Sequence, residues 1–125
     1  MAGFRRGYVF FFIVCSLSAL LATSGCRSHH VEITVENRTG AAIQLLEVDY
    51  PSASFGADKL AADADFHYRI QIRGTGPLKV MYSATAGHQN MINGPTLAED
   101  QQGRLEIVLL PDGKAEFHPE LTSGH

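Results

Sequence analysis

The sequence predicts an all-β domain, a small antiparallel β-sandwich of immunoglobulin-like kind, behind an N-terminal export segment. Three observations carry this. Apolar and polar residues alternate with period two in several short runs, as strands with one buried face require. Turn residues separate these runs at roughly the 8–12-residue spacing of sandwiches and barrels. No segment combines the length and apolar spacing of a stable helix. A small open β-barrel is the alternative arrangement of the same strands. With 125 residues, 45% hydrophobic and 18% charged, the chain supports one core and needs no disulfide staples.

The elements follow in order. "VEITVEN", Val31 to Asn37, puts Val31, Ile33 and Val35 on one face and Glu32, Thr34 and Glu36 on the other. "NRTG" then reads as a turn. Asn37-Arg38-Thr39 also fits a glycosylation acceptor pattern, but the turn reading suffices. In "AAIQLLEVDYP" the apolar phase runs through Ile43 and Leu45, then shifts to Leu46, Val48 and Tyr50. A shift of phase inside one run predicts a β-bulge near Leu45–Leu46. "SASFGADKLAADAD" is small and turn-rich, with room for a short strand near Phe55.

"FHYRIQIR" sends Phe66, Tyr68, Ile70 and Ile72 inward, and "PLKVMYSA" repeats the pattern with Leu78, Val80 and Tyr82. Pairing Ile72 with Leu78 and Ile70 with Val80 would make residues 74–76 a three-residue hairpin loop, closed by a left-handed Gly76. "HQNMINGPT" holds a weak strand around Met91 and Ile92. "RLEIVLL" and "KAEFH" flank Pro111-Asp112-Gly113. A two-residue loop there would set Leu109 against Glu116 and mix faces. A three-residue loop sets Leu109 against Ala115 and Ile107 against Phe117, with proline opening the turn and glycine closing it left-handed. The Cys…Trp…Cys mark of true immunoglobulin domains is absent: there is no Trp.

The first 25 residues differ from the rest. Arg5 and Arg6 precede the apolar run Tyr8 to Ala22, which ends in small residues. That is the plan of an export signal. The run is shorter than the ~20 residues a transmembrane helix needs. Cys15 lies within it, so Cys26 is alone in what remains and has no intramolecular partner.

"ATSGC", Ala22 to Cys26, resembles the lipobox of bacterial lipoproteins. Gly25 and Ser24 match the small residues expected before the cysteine, while Thr23 stands where leucine is usual. The resemblance covers Met1 to Cys26 and implies cleavage between Gly25 and Cys26, then acylation of the Cys26 sulfur. Each buried CH₂ of such a chain is worth ~0.8 kcal/mol, and two or more chains anchor stably. Ordinary cleavage after Ala22 to Ser24, leaving a soluble exported domain, is the rival. The expected organisation is residues 1–25 signal, 26–30 tether, 31–121 sandwich and 122–125 tail.

Without Arg5 and Arg6, 8 basic residues face 13 acidic ones, a net charge near −5. Such a domain repels phosphate backbones, so nucleic acid is not an expected partner. Six histidines invite a metal reading, but His29-His30 are adjacent and diverge in an extended chain, and His67, His88, His118 and His125 are scattered. No metal ligand set or cofactor is assigned. No serine sits in Gly-x-Ser-x-Gly, "RGTGP" lacks the Lys-Ser/Thr of a phosphate loop, and Asp63 and Asp65 fall among turn residues. No catalytic residue is assigned. His67, Arg69, Gln71 and Arg73 with Lys79 form an expected basic stripe, which a normal wet sheet face explains.

The expected function is a non-enzymatic binding or structural role in the cell envelope. Its partners would be the lipid bilayer, through acylated Cys26, and a membrane-proximal envelope protein or glycan. The expected place is the cell membrane or outer membrane, facing the periplasm or exterior. The alternative is an exported soluble or anchored metal-binding protein using surface histidines.

Overall fold

The computed structural model describes residues 29–84 and 87–123. Its strands are β1 (Val31–Asn37), β2 (Ile43–Tyr50), β3 (Ala53–Leu60), β4 (Asp65–Ile70), β5 (Gly76–Ser83), β6 (Gln89–Leu97), β7 (Gln101–Leu110) and β8 (Lys114–Ser123). They form two four-stranded sheets, ordered β4-β1-β7-β8 and β3-β2-β5-β6, which face each other as a β-sandwich. All neighbours are antiparallel except β1 and β7, which run parallel. The signal residues, Gly25 and Cys26 lie outside the described residues. β8 continues to Ser123, two residues into the segment expected as a tail.

Period-two alternation explains the core. Val31, Ile33 and Val35 of β1 meet Leu105, Ile107 and Leu109 of β7 at the sheet centre, all at most 1% exposed. Val48 of β2 and Leu78 and Val80 of β5 supply the facing layer, also fully buried. Each such side chain contributes roughly 1.5–3 kcal/mol by leaving water.

The bulge lies where the phase shift placed it. The β2–β5 register slips between Gln44 and Glu47, Leu46 is buried and Leu45 is turned out, 65% exposed at φ +53°. Across from it, a Cβ on Gly56 would collide with the Leu46 carbonyl oxygen, so β3 needs glycine there. The β7–β8 turn also follows the core phase. Leu109 opposes Ala115 and Ile107 opposes Phe117, with Gly113 at φ +71° after Asp112 at φ +66°.

Two expectations are corrected. β4 and β5 are not a hairpin: Ile70 pairs with Val31 in one sheet, while Val80 pairs with Val48 and Ile92 in the other. Residues 71–75 cross between the sheets, and the left-handed glycine is Gly74, at φ +83°. Ile70 and Ile72 are buried as expected, but Phe66 is only half-buried and Tyr68 is 45% exposed. Their rings close the β3–β4 side of the sandwich, Tyr68 stacking on Phe55 at 4.6 Å between centroids and Phe66 on Phe55 at 6.2 Å.

The second correction is the basic stripe. Lys79 belongs to the other sheet, so it does not continue His67 and Arg69. Beside those two stand Glu32, Thr34 and Glu36 of β1, and Arg69 Nε donates to Glu32 at 2.7 Å. The face is rich in carboxylates.

Strand direction fixes two ends. β1 starts beside Ile70 and Gly103 and finishes beside Asp65 and Leu109. The end at which β1 begins is the entry end, the other the distal end. They are separated by the length of β1, about 20 Å.

Candidate functional site

The distal end is organised by one buried polar residue. Asn37 follows Val31, Ile33 and Val35 in phase and is 0% exposed. Its Nδ2 donates to the carbonyls of Ala41 at 2.8 Å, Leu60 at 3.1 Å and Ala61 at 3.0 Å. Its Oδ1 accepts from Thr39 N at 3.1 Å and Thr39 Oγ1 at 2.7 Å. Its backbone N–H donates to Ala64 O, and its carbonyl accepts from Asp63 N. One side chain thus ties the β1–β2 loop to the β3–β4 connection. The acceptor pattern's asparagine is a structural residue, sealed from solvent.

Against this scaffold, the β1–β2 loop, the β5–β6 connection and the β7–β8 turn enclose a half-open cavity of about 390 Å³. Its walls include Ile43, Ala84, Leu110 and Pro111, and its polar lining includes His88, Asn90, Asp112 and Tyr82. Ala84 N donates to His88 O at 2.8 Å, which holds these two lining residues together at one wall. The Asp112-Gly113 turn holds another. A Cβ on Gly113 would press on Asn90 Oδ1 at 2.7 Å.

Tyr82 is 2% exposed, and burial raises its phenol pKa. Among the described residues its hydroxyl has no hydrogen-bond partner, yet no buried side-chain oxygen is unpartnered. The hydroxyl therefore keeps contact with open space, and the cavity is the open space that Tyr82 borders. Apolar walls and a few polar groups, on loops carried by the sandwich, are features that can accept a small ligand.

A second concavity, of about 400 Å³, lies on the outer face of the β4-β1-β7-β8 sheet. Arginines pair with four of its five carboxylates, and Glu106 has no ion pair among the described residues. Arg104 Nη2 pairs with Glu120 at 2.7 Å, and Arg38 Nη2 with Glu36 at 3.3 Å and Asp65 at 3.2 Å. A hydrogen bond with Glu106 raises the Glu36 pKa, helped by burial and the Glu106 charge and opposed by Arg38. His67 Nδ1 lies 3.0 Å from Thr34 Oγ1, and His118 Nε2 lies 3.3 Å from Glu116. Exposed pairs of this kind hold a face in solution more than they build a site.

The histidines therefore go separate ways. His67 and His118 lie on the carboxylate face, His88 at the distal cavity and His29 at the entry end, 3.1 Å from Gln102 Oε1. Among the described residues, no three of His, Cys, Asp and Glu stand where they could share a metal ion. His125 lies outside the described residues, and Asp63 sits in the β3–β4 connection at φ +61°. Sequence reasoning named Asn37, Tyr82 and His88 but assigned none of them to a site. Asn37 and Tyr82 had a signal: each carries a polar group in the buried phase of its strand.

No protein-family profile and no curated protein matches the chain. Among solved structures, the NMR structure of a protein from Eubacterium rectale is similar, with a TM-score of 0.55 and 12% identity. The match covers 77% of this chain and 95% of that one. At that identity the likeness shows the fold alone, a β-sandwich shared with that protein.

Proposed function

We propose that the chain is a cell-envelope lipoprotein, held in a membrane by an acylated Cys26, whose sandwich acts as a non-enzymatic binding module. The observation that carries this reading is the polarity of β1. The anchor side and the distal cavity lie at opposite ends of one strand, so a chain tethered at Cys26 offers the cavity away from the lipid.

The tether is short. Gly103 N donates to His30 O at 3.1 Å, and His29 meets Gln102, so both residues already lie on the sandwich. Only Arg27 and Ser28 separate them from Cys26, a reach of roughly 10 Å. The sandwich then stands close to the bilayer, with Arg27 near anionic head groups at about 1 kcal/mol of attraction. A partner, an envelope protein or glycan, meets the module within about 30 Å of the membrane.

The test is Cys26→Ser, with acyl labelling and membrane fractionation. Loss of label together with release from the membrane, or with unprocessed precursor, is expected. Retention of the processed chain in membranes after the label is lost would contradict the anchor.

A further inference from the structure

We propose that the distal cavity binds an organic cation, a compact apolar body that carries an ammonium group. This deepens the binding role proposed above and rests on it, but it does not depend on the anchor.

Three independent features meet in the cavity. The first is the Tyr82 hydroxyl, on a side chain 2% exposed, with no protein partner among the described residues. A buried phenol that borders a cavity is a ready hydrogen-bond partner for whatever fills it. The second is charge. Among the described residues Asp112 is the one carboxylate in the lining, no Lys or Arg lines it, and Asp112 makes no ion pair or side-chain hydrogen bond. Its backbone is set by a left-handed turn, φ +66°, followed by Gly113 at φ +71°, and the residue is exposed at the cavity mouth. The third is the wall of Ile43, Ala84 and Leu110, which suits an apolar body, with His88 as the one basic side chain in the lining among the described residues.

An ammonium beside Asp112 gains a charge-assisted bond, and the apolar body leaves water against the wall. A carboxylate in the same place would meet Asp112 as a like charge. The ammonium has two sources, a free amine or a lysine side chain offered by a protein.

The experiment uses the chain expressed from Met1, in nanodiscs when it is recovered with membranes and in buffer when it is not. Calorimetry compares phenethylamine with 2-phenylethanol and phenylacetate. Saturable binding of the amine, about tenfold tighter than the alcohol and with no binding of the acid, is expected. Asp112→Asn keeps the left-handed turn, because Asn tolerates positive φ. It should weaken the amine about tenfold and leave the alcohol unchanged. Tyr82→Phe should weaken both.

A lysine peptide compared with its acetyl-lysine form separates the sources. Tighter binding of the lysine peptide than of phenethylamine assigns a protein partner, and the reverse assigns a free amine. Equal binding of amine and alcohol, or no effect of Asp112→Asn, overturns the cation proposal and leaves the binding role. Absence of saturation by every probe up to about 10 mM overturns both. An unmodified Cys26 in a soluble chain that still binds the amine would overturn the anchor alone.

Discussion

Replacing Asn37 with alanine should unfold the domain more readily than any surface change. The side chain makes five hydrogen bonds, three donated to carbonyls and two accepted from Thr39, from a position 0% exposed. Thr39 and Ala41 lie towards solvent and can turn to water. The bond to Leu60 O is buried, and its loss strands an acceptor. Taking about 1 kcal/mol for each of the two remaining bonds, to Leu60 and Ala61, a loss of about 2 kcal/mol follows, with about 1–3 as the range. For a domain of this size that lowers Tm by about 4–8 °C per kcal/mol. Urea and thermal unfolding of the variant and parent measure it. Asn37→Asp adds a second reading. Three carbonyls facing a carboxylate raise its folded pKa above the unfolded value of about 3.9, so stability is retained below that pH and lost as pH rises above it. A loss below about 1 kcal/mol for Asn37→Ala, or an Asp variant indifferent to pH, would refute the hub.

Other substitutions probe the backbone and the charged face. Gly113→Val should destabilise by about 1 kcal/mol or more, because a β-branched residue resists φ +71° and its Cβ presses on Asn90; equal unfolding midpoints would count against this turn. Gly56→Ala should be worse, by about 2 kcal/mol or more, since the added Cβ meets backbone rather than a movable side chain; a neutral result would place β3 differently. Leu45→Asn should be neutral or stabilise by up to about 1 kcal/mol, as it relieves φ +53° and removes an exposed apolar group. Glu36 has a raised pKa, chiefly through its hydrogen bond with Glu106, so its proton favours the fold below the unfolded value of 4.5 and that contribution is lost as pH rises. Glu106→Gln should therefore flatten the stability profile above pH 4.5, and an unchanged slope in chemical denaturation would argue against the pair.

Much of the sandwich is legible where two local rules agree. At Pro111-Asp112-Gly113, core phase and turn chemistry select one register, and the structure has it. The shift from Leu45 to Leu46 announces the bulge because an extra residue must reverse the buried face. Alternation alone is weaker. It says that Ile70, Ile72, Leu78 and Val80 are buried, but a residue facing the core has the same pattern in either sheet. The short glycine-containing link between β4 and β5 fits a hairpin and a crossing between sheets equally well. β3 was hidden for another reason: Ala53 to Leu60 is made mostly of small and charged residues, and its pairing with β2 rather than its own pattern defines it. The distal cavity as a whole had no local signal, since its lining comes from loops and strand ends far apart in sequence. Asn37 was legible in phase, yet its five partners arise only when the β1–β2 and β3–β4 connections meet.

The most direct measurement of the proposed anchor is intact-mass and peptide mass spectrometry of the chain recovered from membranes after expression from Met1. A mature chain that begins at Cys26, with its sulfur carrying a diacylglyceryl group, is the expected result. A chain that begins elsewhere, or a Cys26 with a free thiol in the membrane-bound pool, would contradict it.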